Sequence, residues 1–259
     1  MHASRICTVL AAVAVVGVSL AEAAEPAKPI VAEKVLFEEV NGVVAVEAEH
    51  FQKQTLTETR AWYLFAPDHK PAVNPDGDEV HLPDASGGAY LEILPDTRRK
   101  HADPLKHGEN FSNAPGKLAV LHYRVHFNTP GRYYVWARIY STGTEDNGLH
   151  VGLDGAWPES GQRMQWTAKR RWAWGSKQRT AAKHTGEPHK LYLDIDKPGE
   201  HVIAFAMRED GTEFDKWMMT TKKLDQVEGH GPPTRVKQGE LPDPFPAVEP
   251  GQEDDVGDA

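Results

Sequence analysis

The chain has 259 residues, a formal net charge of −9 and a single cysteine. From Gln226 to Ala259, eight acidic residues stand against two basic ones, so most of that negative charge lies in the last segment and the remainder is near neutral. This balance argues against nucleic acid as a partner, and one cysteine excludes a disulfide framework.

Met1 to Arg5 is a short charged lead, Ile6 to Leu20 an apolar run, and Ala21-Glu22-Ala23 a small-residue cleavage site. The order is that of a secretory signal, residues 1–23, cut after Ala23. The run falls short of the roughly 20 residues that a membrane helix needs, and no second apolar span follows. The expectation is a soluble protein, secreted, periplasmic or at the cell surface. Cys7 stands at the front of the apolar run, where a lipid-modified cysteine would follow it, so the exported chain has no cysteine.

Lys34 to Val40 and Gly42 to Phe51 read as the first two strands. Within the second, Val44-Ala45-Val46-Glu47-Ala48-Glu49-His50-Phe51 sets two carboxylates two residues apart, on one face of an otherwise apolar strand. Such a pair needs a compensating cation or basic group. Gln52 to Ser86 reads as a long loop with short structure. It contains Asn74-Pro75-Asp76-Gly77-Asp78, which lacks the spacing and closing glutamate of an EF-hand and reads as a turn. Ala89 to Leu94 is a strand, and Pro95 to Gly116 a loop with a basic part at Arg98-Arg99-Lys100.

Leu121, Tyr123, Val125 and Phe127 alternate with His122, Arg124, His126 and Asn128, the pattern of a half-buried strand. Tyr133, Val135, Ala137 and Ile139 repeat it after Thr129-Pro130-Gly131, and the two read as a hairpin. Further strands follow at Leu149 to Leu153, Leu191 to Ile195, Val202 to Met207 and Phe214 to Thr220. Many short strands between Pro and Gly turns, with no long helical periodicity, indicate an all-β sandwich or barrel over residues 33–225. Residues 226–259, rich in proline and acid and poor in apolar side chains, read as a disordered tail.

Several phrases carry a resemblance: Val46-Glu47-Ala48-Glu49-His50-Phe51, the run Gly87 to Thr97, Thr129 to Arg138, Glu145 to Gly155, Trp172-Ala173-Trp174 and Met207 to Lys216. Together they resemble carbohydrate-binding modules of the family 6 and family 35 type, over roughly Val35 to Thr221. The resemblance implies a galactose-binding-like jelly-roll β-sandwich, paired first and last strands, and a structural calcium on Glu47, Glu49 and Asp215. Oxygen-only ligands suit calcium. The competing reading makes the glutamates exposed acids or partners of an arginine.

Sugar sites use aromatic faces and a few polar groups. Trp172 and Trp174 share a face if their segment is extended. With Tyr140, Asp146 and Asn147 they are the expected glycan-binding residues; the alternative is that the tryptophans are core. Arg163, Lys169, Arg170, Arg171, Lys177, Arg179 and Lys183 surround them. They read either as a solvated face or as recognition of an acidic polysaccharide.

No Cys nucleophile, H-E-x-x-H, G-x-S-x-G or phosphate loop is present, and glutamates on one face of one strand cannot flank a glycoside as an acid and base must. The expectation is a non-catalytic, secreted carbohydrate-binding protein, clasped by calcium and working alone or with a secreted enzyme or surface protein. The second reading is a structural or protein-interaction sandwich at the cell surface with no sugar site.

Overall fold

The structure is a computed structural model and describes residues 24–249. Residues 1–23, where a signal is expected, and residues 250–259 lie outside the described residues. In chain order the strands are β1 (Leu36–Glu38), β2 (Val43–Glu47), β3 (Lys53–Thr55), β4 (Ala61–Phe65), β5 (Tyr90–Leu94), β6 (Val120–Phe127), β7 (Gly131–Tyr140) and β8 (Gly148–Leu153). They continue with β9 (Met164–Gln165), β10 (Ala173–Gly175), β11 (Lys177–Gln178), β12 (Glu187–Pro188), β13 (Tyr192–Ile195), β14 (Gly199–Met207), β15 (Glu213–Thr220) and β16 (Val236–Gln238). Helix is confined, among the described residues, to short 3-10 turns at Ala48–His50, Ser86–Gly88 and Glu159–Gly161.

The strands form two sheets, so the expected all-β sandwich is the fold. One sheet runs β12-β11-β9-β8-β14-β6-β1-β16, with β3 also on β6; the other runs β10-β7-β15-β5-β4, with β13 on β7 and β2 on β15. Alternation sets the inner faces. Leu121, Tyr123, Val125 and Phe127 of β6 are fully buried, while His122, Arg124 and His126 are half-buried on the other side. From the second sheet Val135, Ala137, Ile139, Phe214, Trp217 and Met219 enter the same core. The expected pairing of first and last sandwich strands holds, with Val46 opposite Trp217 and Glu47 opposite Lys216 on β2 and β15.

Two expectations are corrected. β6 and β7 are not a hairpin, for they belong to different sheets. Each has an apolar face, and stacking them across the core buries both at once, with Phe127 edge-on to Tyr133 at 5.0 Å. The Thr129-Pro130-Gly131 turn therefore crosses between sheets. The segment after Gln226 is not free in its described part. β16 pairs antiparallel with β1, the Phe245 N–H donates to the Gly87 carbonyl at 2.9 Å, and the Trp174 indole N–H donates to the Gly229 carbonyl at 2.9 Å. Backbone hydrogen bonds to an open sheet edge need no apolar side chains, which is why composition understated this segment's order.

The outer face of the β10-β7-β15-β5-β4 sheet is covered as well. The β4–β5 connection lays Leu82 and Ala85 over Phe65, Tyr90, Leu94 and Trp172, while Leu224 and Val227 pack with Trp174 on Ala45, Trp136 and Met218. Every residue of β15 is buried as a result, including Glu213, Asp215 and Lys216. Truncation after Gln226 should lower the melting temperature and expose Trp174. Thermal denaturation with tryptophan fluorescence measures both, and an unchanged melt would contradict this docking.

Candidate functional site

The largest cleft, about 610 Å³, opens where four connections meet. The β4–β5 loop supplies Asp78, the β5–β6 loop Asp96, Arg99 and Lys100, the β7–β8 loop Asp146, and the loop before β10 supplies Arg170. Arg99, Lys100 and Arg170 are exposed, whereas Asp96 is 4% exposed and Asp146 3%. The rim is thus basic and the floor acidic. Burial pushes the Asp96 carboxyl up to about 7, with the Asp210, Asp146 and Asp78 charges adding to the effect. Burial also raises Asp78 to about 6, opposed by a hydrogen bond from the Thr142 hydroxyl.

Asp146 is the expected ligand residue that lines this cleft, and its carboxylate is fully engaged. It accepts from the Ser141 hydroxyl at 2.9 Å, the Thr142 N–H at 2.6 Å and the Gly143 N–H at 2.9 Å. Its role is to shape the 141–146 loop. Asn147 is buried; its amide donates to the Thr144 carbonyl and its backbone N–H to Glu209. Tyr140 is half-buried and stacks on His81 at 3.7 Å between ring centres.

The tryptophans do not form a joint platform. Trp172 is 9% exposed, packs edge-on to Tyr90 and Tyr140 and donates its indole N–H to the His81 carbonyl at 2.9 Å. Trp174 lies in a different cluster beneath the segment 227–231. Both project from the outer sheet face as their spacing implied, but the sequence offered no sign that other segments lie over that face. The basic residues are likewise dispersed. Arg170 lines the cleft, while Arg163, ion-paired to Glu159, and Arg179 line a separate cavity. The cleft residues that sequence reasoning missed, Asp78, Asp96, Arg99, Lys100 and Thr142, come from separate loops; the basic triplet and the Asn-Pro-Asp-Gly-Asp turn were their visible traces.

β2 ends at Glu47, and Glu49 lies in the 3-10 turn that follows, so the two are not strand neighbours on one face. They still converge, since both lie beside Gly87. A β-bulge between Phe214 and Lys216 re-aims Asp215, which accepts from the Ser86 N–H at 2.6 Å and pairs with Arg138 at 2.8 Å. Lys216 Nζ pairs with Glu47 at 2.6 Å. Glu47 Oε2 and Glu49 Oε2 are buried without partners. Burial and the Glu47 charge hold the Glu49 carboxyl well above its usual range, and burial lifts Asp215 to about 8 against the pull of Arg138. Of the expected calcium ligands, Glu47 and Glu49 each keep one unpartnered oxygen, whereas Asp215 is committed to Arg138 and Ser86.

With this geometry described, comparison with known proteins is informative. Residues 81–234, which include β5, β15 and the cleft residues from Asp96 onward, match the glycosyl hydrolase family 115 C-terminal domain. The chain belongs to that family. The GH115 C-terminal match supports a carbohydrate-associated sandwich and does not single out the family 6 or family 35 type. A relative from Formosa agariphila, uncharacterized protein P23, is 53% identical over 219 residues, covering 84% of this chain and 53% of that protein. The chain thus spans about half the length of this relative. Among solved structures, a family 35 carbohydrate-binding module from Clostridium thermocellum is similar at TM-score 0.35 and 11% identity, over 68% of this chain and 96% of that one. An exo-β-1,3-galactanase from Phanerochaete chrysosporium, solved with galactose, is similar at TM-score 0.33 and 12% identity, over 70% of this chain and 30% of that one. Likeness at these levels says nothing about ligand or chemistry.

Two outcomes follow for this GH115 C-terminal domain. Trp172→Ala should destabilise the fold by about 3–5 kcal/mol, as for a buried aromatic; chemical denaturation measures it, and a stable variant that loses only ligand affinity would return Trp172 to the platform role. Asp78, Asp96 and Asp215 have folded pKa values above the ordinary carboxylate range, so each favours the fold while protonated and loses that contribution as pH rises through about 6, 7 and 8. In chelator, the melting temperature should therefore fall between pH 5 and pH 8. A rise across that interval would contradict the buried-acid geometry.

Proposed function

We propose that this protein is a secreted, non-catalytic glycan-binding module that takes an acidic polysaccharide in the cleft between the β4–β5, β5–β6 and β7–β8 loops. The observation that carries the reading is the cleft itself. Arg99, Lys100 and Arg170, from two separate loops, stand free at its rim in a chain whose family is a domain of glycosyl hydrolases. Planar guanidinium groups suit carboxylate or sulfate, and the polar floor suits hydroxyls. The Asp146 carboxylate is held by loop N–H groups and Asp78 accepts from Thr142, which supports binding over hydrolysis. The signal-like residues 1–23 support export, and the natural partner is a secreted glycan hydrolase, on the same chain or a separate one.

A glycan array with uronate-bearing, sulfated and neutral polysaccharides tests this. Acidic glycans should bind, and Arg170→Ala should weaken them by about tenfold. Arg171→Ala, exposed and outside the cleft, should leave affinity unchanged. Binding to neutral glycans alone would remove the acidic ligand, and release of reducing ends would remove the non-catalytic reading.

A structural calcium on Glu47 Oε2 and Glu49 Oε2 is the second part of the proposal. It would neutralise the charge that Lys216 and Arg138 leave over, beside the β2–β15 pairing. Calcium should raise the melting temperature of metal-stripped protein, and Glu49→Gln should shrink that rise; an identical calcium response in Glu49→Gln would remove the ion from this position.

A further inference from the structure

The turn Asn74-Pro75-Asp76-Gly77-Asp78 lies over the outer face of β5. Asp76, Asp78 and Glu92 each bring a carboxylate oxygen within 4.8 Å of the others. Asp76 and Asp78 are half-buried, while Glu92, in the middle of β5, is 1% exposed. Glu92 Oε1 is buried with no hydrogen-bond partner. Directly across the β5–β15 pairing stands another buried acid, Glu213, whose carboxylate is held by His81 Nδ1 at 2.9 Å. Most other buried acids nearby have basic or backbone partners: Asp210 pairs with Arg60 through one oxygen, Glu145 with Arg98, Glu209 with Arg208, and Asp146 accepts backbone N–H groups, while Asp96 accepts the Arg98 N–H at 3.3 Å. Among the described residues, no lysine or arginine forms an ion pair with Asp76, Asp78 or Glu92; the guanidinium of Arg99, beside Gly77, is the nearby positive charge.

We propose that Asp76, Asp78 and Glu92 hold a divalent cation of the calcium class, which fastens the β4–β5 loop to β5. The donor set is all oxygen and all carboxylate, which selects a hard cation, with backbone carbonyls and water completing its shell. The buried, unpartnered oxygen of Glu92 is the feature that distinguishes this group from an ordinary acidic turn. A carboxylate inside a sheet, opposite a second one, is costly without a cation, and the loop brings two more to the same point. Asp78 also lines the cleft, so the cation would fix one wall of the glycan site, next to Arg99 of the basic rim.

Calorimetric titration of the metal-stripped full chain with calcium tests the assignment. Wild type should bind an ion that Glu92→Gln and Asp76→Asn each lose, or hold at least about tenfold more weakly, and that Glu49→Gln retains. Asp76→Asn lies in a half-buried loop and serves as the variant least exposed to misfolding. A melt in chelator provides the second readout. Glu92→Gln should melt at or above wild type there, because it removes an unpartnered buried carboxyl from beside Glu213, whereas a merely structural Glu92 would give a lower melt. Undiminished calcium binding in both Glu92→Gln and Asp76→Asn, or no calcium binding by wild type, overturns the proposal. Loss of glycan binding in Arg170→Ala with calcium binding intact bears on the cleft alone, so the two readings fail separately.

Discussion

The structure depends on how charge is buried on the outer face of the β10-β7-β15-β5-β4 sheet. A sandwich usually leaves that face in water, and here the β4–β5 loop and the segment after β15 lie on it. Charges on β2, β5, β7 and β15 are then cut off from solvent and need partners within the protein, because an uncompensated buried charge costs several kcal/mol. Those partners also fasten the covering segments. Arg138 reaches from Asp215 on β15 to Asp84 in the loop, the Ser86 N–H donates to Asp215, and His81 holds Glu213. The cleft is formed at the edge of this cover, so its walls stand on the same ionic contacts.

How much of this was legible in the sequence depended on range. β6 could be read almost residue by residue, since alternation between Leu121 and Phe127 reports a local face. Which strand that face would meet could not be read. Tyr133 to Ile139 shows the same pattern whether it pairs beside β6 or stacks across from it, and local signals carry no sheet membership. Trp172 and Trp174 show the same limit. Their shared orientation follows from spacing, but their burial comes from Tyr90, His81 and Gly229, far away in the chain. The Glu47 and Glu49 pair was conspicuous, and its neutraliser Lys216 stands directly opposite Glu47 on β15. The register, however, includes a bulge at Asp215 that no periodicity announces. The cleft was least legible, because its charged rim and acidic floor come from loops whose order along the chain says little about their meeting.

A strand buried on one face can carry charge at every second position without consequence. β15 is buried on both, so each of its ionisable side chains is a statement about a partner. Applied to the covered face, the same accounting assigns Lys216 to Glu47, Arg138 to Asp215 and His81 to Glu213. Two fully buried glutamates have no basic partner and keep an unpartnered oxygen, Glu49 beside the end of β2 and Glu92 within β5, while Glu47 keeps one beside its Lys216 pair. Desolvation raises both toward the neutral form, which is one way for the fold to tolerate them. A proton, however, is a weak reason to gather further carboxylates at the same point. Glu47, paired with Lys216, converges on Glu49, and Asp76 and Asp78, with Arg99 nearby, converge on Glu92, and each added acid makes the unpartnered glutamate costlier. Clustering acids around a buried oxygen becomes favourable only when a cation of higher charge shares them. The covered face therefore accounts for its charge with basic side chains where the strands themselves supply them, and the proposed ions would do the same where a turn or loop closes over a lone glutamate.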